Sequence, residues 1–305
     1  MEQIITLACG KMSAKINAAR GANCISLRHE GHNARILREP DYEHFDNPYL
    51  YGMPILFPVN RIEGGTFTFE GRTYTFPINE PSTGCHLHGI VHETPFEVVK
   101  QTETEAVFRL EIKERAGFPH RHTIELAYLL KETGLSVTAS VTNHSEANMP
   151  CFLGYHTTFR VPFVEGSDPK KIHVLADVTD LVERNMENYL PTGRILEDDE
   201  HTKEMQAGCF PALKLPMSRH YRSFGENRIR LMDKEKGLQV VYENDPDFGW
   251  RLFYNGNADA YICLEPQTCM VNCQKLDYDH SFSGFAFVAP GKTKKYHSEI
   301  RLETL

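Results

Sequence analysis

Apolar and polar residues alternate with a period of two along most of the chain, in short runs that stop at turn-forming residues. This is the pattern of β-strands that bury one face. Residues 66–69 and 73–76 flank Glu70-Gly71-Arg72, which predicts a tight hairpin with glycine at the positive-φ position. Residues 106–113 place Phe108, Leu110 and Ile112 on one face, and 123–130 turn at Thr133-Gly134 into 135–141. Later, 228–232 and 238–242 straddle Lys236-Gly237, and 296–302 close the chain with Tyr296, Ser298, Ile300 and Leu302 alternating. Short turns between successive strands imply antiparallel pairing. The most helix-like stretch is 178–189, and it is short, so helices should be minor additions. The expected fold is all-β, one large antiparallel β-sandwich in a single domain over residues 1–305. Within it, 196–204 is acidic enough to predict an exposed loop.

Composition narrows the function more than the fold. The 305 residues carry 33 Lys+Arg against 41 Asp+Glu, a formal charge of 33 − 41 = −8. A net negative surface repels phosphate backbones and anionic lipid, so neither nucleic acid nor a membrane is an expected partner. The start of the chain has Glu2 where a signal peptide would be positive, and the apolar stretch from Ile4 to Cys9 is too short for a signal core or a span; the cytoplasm is the expected compartment. Eight cysteines lie scattered with no CxxC pair, which fits reduced, mostly buried thiols better than a disulfide framework or zinc ribbon. The CxxxC of Cys269 and Cys273 adds little to that.

Candidate chemistry sits where polar residues interrupt strand-like sequence. The proline-punctuated run Gly52-Met-Pro-Ile-Leu-Phe-Pro-Val ends in Asn60 and Arg61, and a stiffened arginine can hold its fork of donors against ligand oxygens. Taken alone it reads better as a surface arginine in a salt bridge. In Cys85-His86-Leu87-His88-Gly89 the histidines stand two apart and share a face if the segment is extended. A metal reading would recruit His92, His120 or His122, but nothing in the spacing enforces a tetrahedral array, and His86 reads as structural. His156 lies among aromatic and small residues in Gly154-Tyr-His-Thr-Thr-Phe159. Glu265 ends the hydrophobic run Tyr261-Ile-Cys-Leu, where a carboxylate is costly unless it is hydrogen-bonded or used.

These segments and their order resemble the aldose 1-epimerase (galactose mutarotase) family. The resemblance rests on Gly21-Ala-Asn-Cys-Ile-Ser-Leu, the run from Pro48 to Ile62, Leu87-His88-Gly89, Gly154-Tyr-His156 with Phe159, Leu264-Glu265-Pro-Gln-Thr, and Phe282-Ser-Gly-Phe-Ala-Phe-Val-Ala-Pro-Gly. It implies a β-supersandwich whose open cleft interconverts the α and β anomers of a free hexose. Glu265 would be the general base at the C1 hydroxyl and His156 the general acid at the ring oxygen, with Arg61, His88 and Asn60 in substrate-binding positions. Reference pKa values of about 4.3 for Glu and 6.5 for His favour a carboxylate base beside a histidine that carries the proton. No metal, nucleotide or other cofactor is expected. The family usually also sets an aspartate on a sugar hydroxyl; 219–250 offers Glu226, Asp233, Asp245 and Asp247 without a motif to choose among them. Two rivals are a non-catalytic carbohydrate-binding protein on the same fold and an epimerase for a phosphorylated sugar. The latter would gather cations such as Arg121, Arg160 and Lys275 at the cleft rim.

Overall fold

Strand alternation decides the architecture because each strand must bury one face, and here two large sheets bury theirs against each other. The computed structural model describes residues 3–41, 47–197 and 199–305. A nine-stranded sheet runs Glu97–Gln101, Glu105–Ile112, His122–Lys131, Gly134–Asn143, Thr293–Thr304, Leu238–Asn244, Arg228–Asp233, Ile172–Ala176 and Phe210–Pro211. The final strand, Thr293–Thr304, lies between strands from the two halves of the chain. It sets Tyr296 opposite Ala139 and Ile300 opposite both Leu135 and Tyr242.

An eight-stranded sheet runs Pro191–Leu196, Val178–Arg184, Ser218–Ser223, Trp250–Tyr254, Tyr261–Gln267, Gly154–Tyr155 and Ile55–Leu56, and Thr158–Arg160 also pairs with Tyr261–Gln267. Pairings between these strands are antiparallel throughout the described residues. Phe159 packs on Tyr242 at 5.5 Å between ring centroids, and Tyr155 on Phe248 at 6.1 Å, joining this sheet to the nine-stranded one. A four-stranded sheet, Ile4–Cys9, Met12–Asn17, Asn23–His29 and Ala34–Arg35, covers the rest of the nine-stranded sheet. There the Tyr128 hydroxyl donates to the Ala22 carbonyl at 3.0 Å.

Period-two alternation also explains the cleft. In Trp250–Tyr254, Arg251 and Phe253 point into the sandwich while Trp250, Leu252 and Tyr254 share the opposite face. In Tyr261–Gln267, Ile262 and Leu264 point inward while Cys263, Glu265 and Gln267 share that opposite face. At one end of this face a second apolar cluster, with Leu56, Val59, Phe67, Phe152, Trp250 and Met270, closes over the sheet. Beside it the face is open.

The expected strands are present with small extensions. The first hairpin pairs Thr66–Phe69 with Arg72–Thr75, so its turn has only Glu70 and Gly71, at φ +48° and +74°. Two successive positive-φ residues match the twist of the flanking strands. Three expectations need correction or comment. The helix-like stretch 178–189 is instead the strand Val178–Arg184 and a hairpin tip. A register shift between Val178 and Leu181 inserts a bulge, so the buried positions Val178, Leu181 and Val182 fall at the i, i+3, i+4 spacing that imitates a helix. The acidic loop at 196–204 gives way to a helix, Glu200–Gln206, whose N-cap Asp199 accepts from the Thr202 amide, with Thr202 and Met205 buried; Asp198 lies outside the described residues. All eight cysteines are free thiols, six of them buried.

Candidate active site

The open face of the eight-stranded sheet forms a cleft of about 260 Å³, lined by Tyr49, Asn60, Arg61, Glu80, His88, His156, Tyr189, Ser218, Leu252, Tyr254 and Glu265 among others. A cavity of about 150 Å³ holds a benzene ring. This one therefore accommodates a six-membered ring with its hydroxyl substituents.

Strand register builds the floor. Gly154 pairs with Gln267 and Thr158 with Cys263, so His156, midway between them, falls beside Glu265. Its Nε2 lies 3.1 Å from Glu265 Oε1, and both side chains are buried. Glu265 Oε2 accepts from Gln267 Nε2 at 3.2 Å, and Gln267 Oε1 accepts from Asn60 Nδ2 at 2.9 Å. Asn60 also orders its neighbours. Its backbone N–H donates to His88 Nδ1 at 3.3 Å, its carbonyl accepts from the His88 amide, and its Oδ1 accepts from the Arg61 amide. With Nδ1 of His88 an acceptor, the proton sits on Nε2, and the ring is a donor toward ligands. Asn60 and His88 both hold left-handed backbone, at φ +59° and +60°. Gly89 follows at φ +64°, where a Cβ would lie 2.0 Å from the Phe57 carbonyl. Glycine is required there by close approach as well as by φ.

The walls are aromatic and ionic. Arg61 grips Glu80 with Nε at 2.6 Å and Nη2 at 2.7 Å, and its guanidinium lies 4.6 Å from the centroid of Tyr189. Tyr189 reaches the cleft from the hairpin tip between Val178–Arg184 and Pro191–Leu196. Tyr49 packs on His88 at 4.8 Å and on His156 at 5.8 Å, and Tyr254 meets the His156 ring edge-on. Behind Ser218, the buried Arg184 donates through Nη2 to the Ser218 carbonyl and hydroxyl.

Burial dominates the electrostatics. Desolvation pushes the Glu265 carboxyl up to about 8, against the opposing pull of the Gln267 hydrogen bond and the charges of Arg184 and Arg61. Desolvation pushes His156 down to about 3 and holds His88 well below its ordinary range. At neutral pH the unliganded pair thus shares one proton, and burial places it on the carboxyl. Desolvation thus opposes the assignment that reference values suggest, because it penalises the charged form of each group.

Of the residues singled out from sequence, Glu265, His156, Arg61, His88 and Asn60 converge on one cleft. The other histidines disperse. His86 bonds the Pro77 carbonyl through Nδ1, His120 bonds Tyr74 and Ser145, His122 bonds the His120 carbonyl, and His92 lies behind Tyr49. None of the four acidic candidates in 219–250 lines the cleft. Asp233 bonds Ser167, Asp245 accepts from the His297 amide, and Glu226 and Asp247 pair with Arg228 and Lys294. The second carboxylate in the cleft is Glu80, from a different part of the chain. Arg121, Arg160 and Lys275 do not line it either; they contact the His144 carbonyl, Glu165 and Glu63. Sequence reading missed Tyr49, Glu80, Tyr189 and Tyr254 as lining residues. Gln267 carried a signal, since strand alternation puts it on the same face as Glu265.

Comparison with known proteins bears on this geometry. The sequence profile of the aldose 1-epimerase family matches residues 3–301, nearly the whole chain. The chain belongs to the aldose 1-epimerase family. Among solved structures, a galactose mutarotase-like protein from Clostridium acetobutylicum superposes with a TM-score of 0.93 at 29% identity, covering 100% of this chain and 98% of that one. The GalM/aldose epimerase homologue from C. elegans superposes at 0.79 with 18% identity and full coverage of both chains, a likeness of fold. In sequence, the uncharacterized protein YihR of Escherichia coli is 28% identical over 156 residues, a match that spans about half of each chain. YphB of the same organism is 23% identical over 265 residues, 83% of each chain. Membership in this family brings a sugar as the class of substrate. No helix among the described residues is long and apolar enough to cross a membrane.

Proposed function

We propose that this chain, acting as one aldose 1-epimerase-like domain in the cytoplasm, interconverts the α and β anomers of a free, neutral hexose by opening and reclosing the sugar ring. The observation that carries the reading is the 3.1 Å contact between the buried His156 Nε2 and Glu265 Oε1 on the cleft floor. Glu265 takes the proton from the C1 hydroxyl while His156 delivers one to the ring oxygen. The C1–O5 bond breaks and leaves an open-chain aldehyde. Rotation about C1–C2 turns the other face of the carbonyl toward O5, and reclosure with the roles exchanged gives the other anomer.

Burial gives this cycle a direction. The form that opens the ring has Glu265 as carboxylate and His156 as imidazolium, one proton transfer across the contact away from the unliganded form. Ring opening returns the pair to carboxylic acid and neutral imidazole, the form that desolvation favours. The dry floor therefore drives the two proton transfers onto the sugar once the charged pair has formed, and forming that charged pair from the neutral one is the cost it adds. His88 Nε2–H and Arg61 are placed to donate to sugar oxygens. The fork of Arg61 is already engaged by Glu80, so the cleft offers little net positive charge, which supports a neutral sugar over a phosphorylated one.

Polarimetry on freshly dissolved α-galactose and α-glucose, with the spontaneous rate subtracted, tests the reading. Glu265→Gln keeps the size of the side chain but cannot accept a proton, and should lower kcat by about 10²–10⁴-fold. An unchanged rate in that variant overturns the mechanism.

A further inference from the structure

Cys263 takes no part in the proton transfers just described, yet it shares a strand face with Glu265 and ends beside the pair. The thiol Sγ of Cys263, a ring nitrogen of His156 and a carboxylate oxygen of Glu265 lie within 4.8 Å of one another, and all three side chains are buried. No other group of three His, Cys, Asp or Glu donors among the described residues comes this close. Glu265 Oε1 has no hydrogen bond of good geometry, although it faces His156 at 3.1 Å, so a buried acceptor is left without a committed partner.

We infer that the floor of the cleft binds a thiophilic divalent cation of the Zn²⁺ type through Cys263, His156 and Glu265, and that the bound ion shuts the enzyme off. One sulfur, one imidazole nitrogen and one carboxylate oxygen form a zinc donor set, and metal–ligand bonds of about 2.0–2.3 Å set tetrahedral donors roughly 3.3–3.8 Å apart. His156 Nε2 and Glu265 Oε1 stand at 3.1 Å, slightly closer than that, and a pair at 4.8 Å closes with a shift of about 1–1.5 Å. Thiolate and carboxylate together cancel the ion's double charge, so the loaded site is neutral in its dry surroundings. The two protons displaced from thiol and carboxyl pass to solvent. An ion so held ties up the lone pair of His156 and the carboxylate of Glu265 at once, leaving neither acid nor base. Hard cations such as Mg²⁺, which take oxygen ligands in octahedral array, do not suit this donor set.

This inference rests on the site just described, but it is tested by ion binding and not by turnover. The chelator-stripped protein is titrated with Co²⁺ and Zn²⁺, following the thiolate-to-cobalt charge-transfer absorption and the heat of Zn²⁺ binding. The expected result is one ion per chain at this site, a charge-transfer band, displacement by saturating sugar, and no competition from Mg²⁺. Cys263→Ala and, as a second variant against misfolding, Cys263→Ser should abolish the band and weaken Zn²⁺ binding by more than about tenfold, since even outer-shell partners of a metal ligand are worth that much. Both variants should anomerise sugar at the parental rate and resist Zn²⁺. A band and an affinity that survive both substitutions overturn the site, whether or not the parent acts on sugars. Loss of turnover in Glu265→Gln bears only on the acid–base reading.

Discussion

Replacing Gln267 by leucine removes a single hydrogen bond from the reacting pair while leaving both of its members in place. Gln267 is fully buried and donates to Glu265 Oε2 at 3.2 Å. A hydrogen bond to a charged group is worth about 1.5–3 kcal/mol, and 1.36 kcal/mol moves a pKa by one unit. Loss of the donor acts only on the carboxylate, so the Glu265 carboxyl should hold its proton to a pH about 1–2 units higher. The pH dependence of kcat/KM reports the free enzyme, and activity requires that the pair hold one proton. In the parent the profile should fall below about 3, where His156 gains a second proton, and above about 8, where Glu265 loses the shared one. In Gln267→Leu the alkaline limb should move up to roughly 9–10 while the acid limb stays, because within the pair Gln267 bonds only the carboxyl, its other hydrogen bond being accepted from Asn60. Polarimetry with the enzyme-free rate subtracted at each pH measures both limbs, and circular dichroism confirms that the variant is folded. An alkaline limb that stays put, or moves down, refutes the claim that Gln267 sets the proton affinity of the base.

Arg61→Ala should weaken sugar binding by roughly 1–3 kcal/mol, read as a raised KM, because it removes a donor and leaves Glu80 with the Thr83 hydroxyl but no cation; unchanged KM and kcat would take Arg61 out of the site. Glu265→Gln combined with His156→Asn should lose far less than the product of the two single losses, since one failed transfer leaves the other little to assist; a fully multiplicative loss in single-turnover rates would mean that the two act independently. Gly89→Ala forces a Cβ to within 2.0 Å of the Phe57 carbonyl in left-handed backbone, so thermal unfolding should show a destabilised protein with impaired sugar binding through displaced His88, and a parental melting temperature would contradict the close approach. Exhaustive chelation should leave anomerisation intact, and a loss restored by added zinc would replace acid–base catalysis with metal-assisted chemistry.

The strands were legible because their burial is one-sided, and a one-sided strand writes period two into its residues. Val178–Arg184 failed that test for a local reason, a bulge that moved Leu181 and Val182 out of phase. Glu265, His156, Arg61, His88 and Asn60 stood out as polar residues in apolar runs, and the fold collects them because Tyr261–Gln267 pairs on one side with the segments around His156. Glu80 and Tyr189 gave no such signal. They come from loops whose position depends on tertiary packing, and nothing in a tyrosine at a turn announces that it will stack on a distant arginine. The protonation state was also out of reach, since it follows from how completely the sandwich dries the pair.

Tyr189 belongs to an edge hairpin, whereas the proton-handling pair belongs to strands near the middle of the sheet. Edge hairpin tips tolerate insertion and replacement at small cost, because few other segments depend on them. On the proposed reading, a lineage of such proteins can therefore lengthen, shorten or re-letter that tip and change which hydroxyl pattern is admitted without disturbing ring opening. Sugar preference and turnover are then separately heritable traits of one molecule, and exchanging the 185–190 tip between relatives offers a route to retuning the first while leaving the second alone.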